Sequence, residues 1–399
     1  MAVVASQLTT SSPAHAQADY PTLFDAYVVR SAAVLRDRLV SAAAPTPDEF
    51  ARQRDHALHI LTYALGPDAA WPSARDLLLA LAEPMEQAGA RSEWLPFLHR
   101  GVERSTTLAD IAAEAELSLR IGHLLRLVSS FANAQQWLER SLRCFEQVGD
   151  HAGVARALNQ LAYVDCLLNR DERAVQRATA TLTSLAEDDY ERAMSHFVIG
   201  MVATNRWQWA EAETHHRAAL DLRQRQGDVR RTAWALQNIG WALQGQHLYA
   251  DAIEHLLAAG VILEELGDKA NRAIVLLNLA RTYHLDNRLA QALETGFAAR
   301  QALYEVGDHL HAARHDCNLG LTYLKLNDPQ AALAAFQDSM RVYIMLEDAA
   351  GRINTTSGLA MAYLALEELE LLDNVPGKEE LQRVMTENLA KARAAPGQI

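Results

Sequence analysis

Four residues near position 310 have the types and spacing of metal ligands. His311 and His315 are four apart and share one helix face; with His309 and Cys317 they offer three imidazole nitrogens and a thiol, enough for a tetrahedral zinc site. They also straddle the joint between two helical stretches. A turn histidine and packed or solvated neighbours account for them without a metal, and that is the reading taken. His215, His216 and His255 lie on helices and suit packed or solvated rings better than acid–base work. There is no Gly-x-Ser-x-Gly, no His-Glu-x-x-His and no dinucleotide glycine fingerprint. The only Gly-Lys pair, Gly377-Lys378, is followed by Glu379, so no phosphate-binding loop exists. The expectation is a non-enzyme without metal or cofactor.

The other chemistry is recognition. Asn159, Gln160, Gln237, Asn238, Asn278 and Asn318 recur at intervals of about forty residues. A side-chain amide both donates and accepts, so a row of amides can pair with an extended peptide backbone whatever its sequence. The competing reading makes each amide a spacer bonded to a neighbouring helix. Tyr163, Met194, Phe197, Met201, Trp234 and Trp241 lie beside them and could form an adaptable apolar floor.

These residues ride on a repeat. Leu81-Ala82, Ile121-Gly122, Leu161-Ala162, Ile199-Gly200, Ile239-Gly240, Leu279-Ala280, Leu319-Gly320 and Leu359-Ala360 follow at steps of 40, with a single step of 38. Six of these anchors have an alanine twelve residues later (Ala134, Ala174, Ala212, Ala252, Ala292, Ala332), and seven beyond it Ser141, Thr181, Ala219, Ala259, Ala299 or Ser339. Small residues at fixed spacing let two helices approach while the Leu or Ile fills the layer between them. Within each unit apolar residues recur at three and four, which predicts amphipathic helix and no sheet. Gly149-Asp150, Gly227-Asp228, Gly267-Asp268 and Gly307-Asp308 predict a left-handed C-cap followed by an aspartate N-cap. Asp328-Pro329 predicts the start of another helix. The 38-residue step follows Asp188-Asp189 and predicts a tighter turn there.

Composition agrees. The 399 residues are 50% hydrophobic but only 7% aromatic, and 50 acids against 37 bases leave a charge of -13, which argues against a nucleic-acid partner. No apolar run is long enough to cross a bilayer, so no membrane partner is expected. Three scattered cysteines, Cys144, Cys166 and Cys317, suit a reducing, cytoplasmic setting, and Cys166 and Cys317 suit small buried hydrophobes. All eleven prolines lie at or before Pro96 or at or after Pro329. Trp207 and Trp209 are expected to pack between helices. Ala14 to Ala16 resembles a signal-peptidase site but lacks a basic start and an apolar stretch before it.

The Leu/Ile-Gly/Ala anchor, the apolar or aromatic residue after it (Leu243, Tyr283, Tyr323, Tyr363) and the later small residues resemble the tetratricopeptide repeat. The forty-residue period and the strings Asn238-Ile239-Gly240, Asn278-Leu279-Ala280 and Asn318-Leu319-Gly320 resemble its long-helix branch, seen in kinesin light chains and polarity adaptors. The run from Asp48 to Gly101 resembles the segment before the repeat sensor in STAND-type signalling ATPases. The resemblance implies an all-α fold, a right-handed superhelical solenoid of stacked antiparallel helix pairs, with a helical N-terminal extension and a C-terminal capping helix. It divides the chain into a disordered tail (1–18), a helical segment (19–69), a repeat solenoid (70–351), in which Leu81 to Asp110 keeps the spacing with Trp94 in place of the alanine, and a divergent repeat with a capping helix (352–399), where Pro376-Gly377 interrupts the register.

The resemblance also implies which positions face the concave side. In the six repeats anchored from Leu161 to Leu359 those positions number thirty-six and hold no acid, where 50 acids per 399 residues would place about 4.5. They hold four bases, Arg156, Arg281, Arg314 and Lys325, where 37 per 399 would place about 3.3. The two preceding repeats differ, with Glu83, Glu86 and Glu116. A relatively positive groove is therefore expected in an acidic protein. The residues assigned to ligand contact are Asn159, Gln160, Tyr163, Trp234, Gln237, Asn238, Trp241, Asn278, Arg281, Arg314, Asn318 and Lys325. The expected function is an adaptor or sensor that binds a protein or peptide segment carrying apolar anchors and an acidic group. The alternatives are a Rap-type receptor for a short signalling peptide and a structural scaffold that homo-oligomerises.

Overall fold

A computed structural model describes residues 20–41, 47–87 and 90–366. The expected tail at 1–18 and the capping segment beyond residue 366 lie outside the described residues, as do the side chains of Glu83 and Glu86. Among the described residues there are seventeen α-helices, one 3-10 turn (Asp68–Ala70) and no strand. Two compact units form, Met1–Arg177 and Ala178–Ile399.

The first unit opens with three helices, α1 (Tyr20–Ser41), α2 (Pro47–Ala64) and α3 (Trp71–Gln87). It continues through α4 (Arg91–Thr107), α5 (Ile111–Leu127), α6 (Phe131–Val148) and α7 (His151–Leu167) into α8 (Asp171–Ser184). In the second unit first helices α9 (Arg192–Asn205), α11 (Val229–Gly245), α13 (Lys269–Leu285) and α15 (His309–Lys325) alternate with second helices α10 (Trp209–Arg225), α12 (Tyr249–Glu265), α14 (Leu289–Glu305) and α16 (Pro329–Met345), and α17 (Ala349–Leu366) follows.

The turns explain this regularity. Each first helix from α5 to α15 exits through a left-handed residue: Ser129, Asn169, Trp207, His247, Asn287 and Asn327. The inter-repeat exits do the same at Ala109, Gly149, Gly227, Gly267, Gly307 and Glu347. The next N–H then reaches back five residues, as from Asp228 to the Arg223 carbonyl (3.0 Å) and from Arg288 to that of Tyr283 (2.9 Å). These bonds satisfy carbonyls that a helix end would leave unpaired. Asp110, Asp150, Asp228, Asp268, Asp308 and Asp348 accept from the backbone N–H three residues on, capping the first helices as expected.

The 38-residue step is not a tighter turn. The helices themselves are shorter, fourteen residues each in α8 and α9 against seventeen elsewhere in the second unit's pairs, and residues 185–191 form a longer connection. Arg192 Nη1 fastens it by donating to the Leu182 carbonyl (2.6 Å), and Tyr190 by donating its hydroxyl to Asp228 Oδ2 (2.7 Å). Trp207 also differs from expectation. It occupies a left-handed turn position and is 76% exposed, whereas Trp209 packs its ring over Gly245.

Packing within each pair is a knob in a notch. A Cβ added at Gly122, Gly240 or Gly320 would come within 2.6–2.8 Å of Leu138, Leu256 or Phe336. The late small residues sit where two backbones pass, and the Ser141 and Ser339 hydroxyls donate to the Ala115 and Ala313 carbonyls at 2.8 Å. Two repeats carry polar exceptions. His216, 1% exposed, takes the knob position opposite Gly200, and its Nδ1 has no hydrogen-bond partner. His315 fills the notch at Gly296 and bonds Nε2 to that residue's carbonyl (2.8 Å).

Replacing His216 by Leu, the residue at the equivalent places 138 and 256, should raise unfolding free energy by about 1 kcal/mol or more, because a buried unpaired polar atom disappears; chemical denaturation of the full chain measures it. Burial holds His196, His216, His284 and His315 each at about 4. The unfolded chain therefore binds more protons at these rings below its own pKa near 6.5, and stability falls as pH drops from about 6.5 to 4. Asp316, 1% exposed and pushed up to about 7 by burial, offsets about one of these protons over the same window. The slope of stability against pH in H216L should be shallower than wild type by about one proton.

Candidate functional site

The sequence-assigned residues fall on the first helices, and the two units present them differently. In the first unit Asn159 on α7 is wholly buried and offers no surface to a ligand. Gln160 Oε1 lies 3.4 Å from His123 Nδ1, and Tyr163 carries the Arg126 guanidinium over its ring at 4.6 Å. Arg156 is paired with Glu116 (Nη1 to Oε2 3.0 Å), so it adds no free charge. The amides and the base expected here are already engaged by the protein.

In the second unit they are not. Trp234, Asn238 and Trp241 lie at i, i+4 and i+7 and share one face of α11; both indoles are exposed, at 37% and 39%. Asn278 and Arg281 continue that register on α13, and Arg314, Asn318 and Lys325 on α15. The side-chain amides of Gln237, Asn238, Asn278 and Asn318 are partly exposed and make no hydrogen bond to any described residue. They are therefore not spacers between helices. Arg281 and Arg314 form no ion pair with a described residue. Burial, and then the nearby Arg314 charge, lower the Arg281 pKa. Two unneutralised guanidiniums thus stand close together.

A cavity of about 280 Å³ opens beside them, lined by Arg281, His284 and Leu285 of α13 and by Asn318, Leu321 and Thr322 of α15, with buried His315 in its wall. An internal ladder fixes its polar lining. Gln244 Nε2 donates to Thr282 Oγ1 (2.9 Å), and the Thr282 hydroxyl donates to the Asn278 carbonyl (2.8 Å). One repeat on, His284 Nδ1 lies 2.9 Å from Thr322 Oγ1, and Thr322 donates to the Asn318 carbonyl (2.9 Å). Lys325 Nζ donates to the His284 carbonyl (3.1 Å), which brings a third cation to the site. Burial, Lys325 and Arg281 push His284 down to about 4, so its ring is neutral near pH 7.

His284, Leu285 and Leu321 were not assigned to ligand contact, although all three occupy positions that the repeat register turns toward the same side. Thr322 does not, and only the inter-helix hydrogen bond reveals it. The metal-like set disperses: His309 packs against Tyr304 with ring centroids 5.8 Å apart, His311 Nδ1 bonds Asp308 (2.8 Å), His315 bonds Gly296, and Cys317 Sγ bonds Ser339 (3.1 Å) and Thr355 (3.0 Å). Among the described residues no group of three or more His, Cys, Asp or Glu could hold a metal, and no helix is long and apolar enough to cross a membrane.

Residues 113–187 and 190–259 match the tetratricopeptide repeat family model. No curated protein matches the sequence. The chain is similar in structure to the apo form of the quorum sensor NprR from B. thuringiensis (12% identity, TM-score 0.59, 92% of this chain and 98% of that one). It is also similar to a Rap protein complexed with competence and sporulation factor (15%, 0.57, 87% and 99%) and to aspartyl phosphate phosphatase F from Bacillus subtilis (13%, 0.52, 97% and 96%). At such identities the likeness concerns the fold, and these are helical repeat arrays like the one described above. By the sequence match over residues 113–187 and 190–259, the forty-residue packing register and the likeness of fold, this chain is similar to tetratricopeptide-repeat proteins.

Proposed function

We propose that the protein is a non-catalytic adaptor or sensor that binds an extended protein or peptide segment along the first-helix face of α11, α13 and α15. The observation that supports this reading is the row of unclaimed amides at Gln237, Asn238, Asn278 and Asn318, set between exposed indoles and unpaired guanidiniums. Amides pair with the ligand backbone, which tolerates varied sequences. Trp234 and Trp241 accept apolar side chains. Arg281 and Arg314 take an acidic group, for which a guanidinium's paired donors suit a carboxylate. The chemistry is ordered along the array, so the ligand's apolar anchors lie toward α11 and its acid toward α15.

Selection from a random peptide display library on the full chain should enrich sequences with an aromatic or aliphatic anchor and an Asp or Glu. For a selected peptide, N238A/N278A/N318A should weaken binding roughly 100-fold at about 1 kcal/mol per lost hydrogen bond, and R281A/R314A at least about tenfold. Full affinity in a folded triple variant would reject the reading.

A second reading narrows the ligand to a free short signalling peptide. It is favoured by the near full-length similarity to the quorum sensor and to the Rap protein, which extends over the N-terminal helices as well as the repeats. It requires that the enriched peptide bind as a free oligomer with the affinity it has when embedded in a folded carrier protein; binding only in the carrier would favour the adaptor.

A further inference from the structure

The hydrogen-bond ladder determines which nitrogen of His284 carries the proton. The Thr322 hydroxyl has one hydrogen and uses it on the Asn318 carbonyl, so it can only accept from His284. His284 Nδ1 is therefore the protonated nitrogen, and Nε2 carries the lone pair. Nε2 has no partner among the described residues, and the ring lines the cavity between α13 and α15. A neutral ring with an open basic nitrogen thus shares the cavity with permanently charged Arg281 and with Lys325 at its rim, while Arg314 stands close to Arg281.

Burial, reinforced by the Lys325 and Arg281 charges, holds this ring neutral while the cavity carries no anion. An anionic group opposes the cations' part of this effect: it neutralises the guanidiniums and places negative charge beside Nε2, and both changes favour the imidazolium. Protonated Nε2 then becomes a donor, converting an acceptor in the cavity into a further hydrogen bond to the ligand. We propose that an anionic group entering the cavity between α13 and α15 is bound together with one proton, taken up at Nε2 of His284. This rests on the acidic-group reading above and adds its regulation: the site tightens as pH falls.

The groups facing His284 narrow the alternatives. Arg281, Arg314 and Lys325 face the ring as cations. Asp286, at the end of the same helix, is paired with Arg288 (2.6 Å). On α11 the neighbour is Gln244, which does not ionise, and α14 contributes Ala292 to the cavity wall. His315 on α15 is the one rival. Its Nε2 is bonded to the Gly296 carbonyl and its Nδ1 is buried without a partner, so it could take a proton only inside the core.

The protein supplies its own conservative variant. Gln244 stands one repeat before His284 and makes the equivalent bond to Thr282, so His284→Gln keeps a donor to Thr322 and removes the titratable ring. Sulfate is the probe, because it does not change its own protonation between pH 5 and 8. Its binding to the full chain is followed by NMR at constant ionic strength, reading the Asn318 amide and the His284 and His315 rings. The expected result is a His284 pKa well above 4 with sulfate bound, and an affinity that rises at least about tenfold from pH 7 to pH 5. In H284Q the affinity should be flat over that range. Sulfate shifting the Asn318 amide without moving the His284 pKa overturns the proton uptake and leaves the anion site standing. Uptake that persists in H284Q assigns the proton to His315 and also overturns it. No sulfate-dependent shift at Asn318 or His284 rejects the anion site and the proposal together.

Discussion

The first-helix face proposed to meet a ligand depends on a contact at the back of the same helices. At Gly122, Gly240 and Gly320 a Leu or Phe from the second helix occupies space that a Cβ would fill. That contact sets how each first helix is rotated, because a knob has one notch within reach. Once rotation is set, Trp234, Asn238 and Trp241 must share a face, and the register repeats forty residues later at Ile274, Asn278 and Arg281. The amide row is thus a consequence of backbone proximity, held in register by left-handed exits and aspartate caps that keep the turns from α9 to α17 the same length.

Charge is organised by omission. Acids are numerous overall yet missing from the inward positions of the six repeats anchored from Leu161 to Leu359, so Arg281, Arg314 and Lys325 retain their charge instead of being paired. In the first unit the same kind of surface is self-satisfied. Glu116 takes Arg156, His123 approaches Gln160, and Tyr163 lies under Arg126. Two stretches with similar repeats therefore differ in what they leave open, and the difference comes from a few neighbours one repeat away.

Polar groups placed in the core carry a second message. His216 and Asp316 occupy positions where other repeats have leucine, and burial shifts both strongly from their ordinary pKa values. Their opposite shifts partly offset each other in the pH dependence of the array's stability, over the range in which His284 would respond to an anion. Fold stability and recognition are separable there, because His216 lies at a knob position on α10 and His284 lines the cavity.

Much of the architecture was legible because the repeat prints the same constraint many times: a small residue where helices touch, an aspartate where one starts, a left-handed residue where one ends. Such rules are local, and local rules survive in a one-dimensional sequence. The 38-residue step was misread because a deletion can shorten helices or turns, and only packing selects between them. Asn159 and Asn278 looked equivalent by spacing, yet one is wholly buried and the other holds an open amide. That outcome is set by the neighbouring repeat's side chains, which spacing alone does not encode. The tautomer of His284 lies further still from the sequence. It follows from the proton inventory of three groups on two helices, Thr322, the Asn318 carbonyl and the ring itself, and only the tertiary structure brings these together.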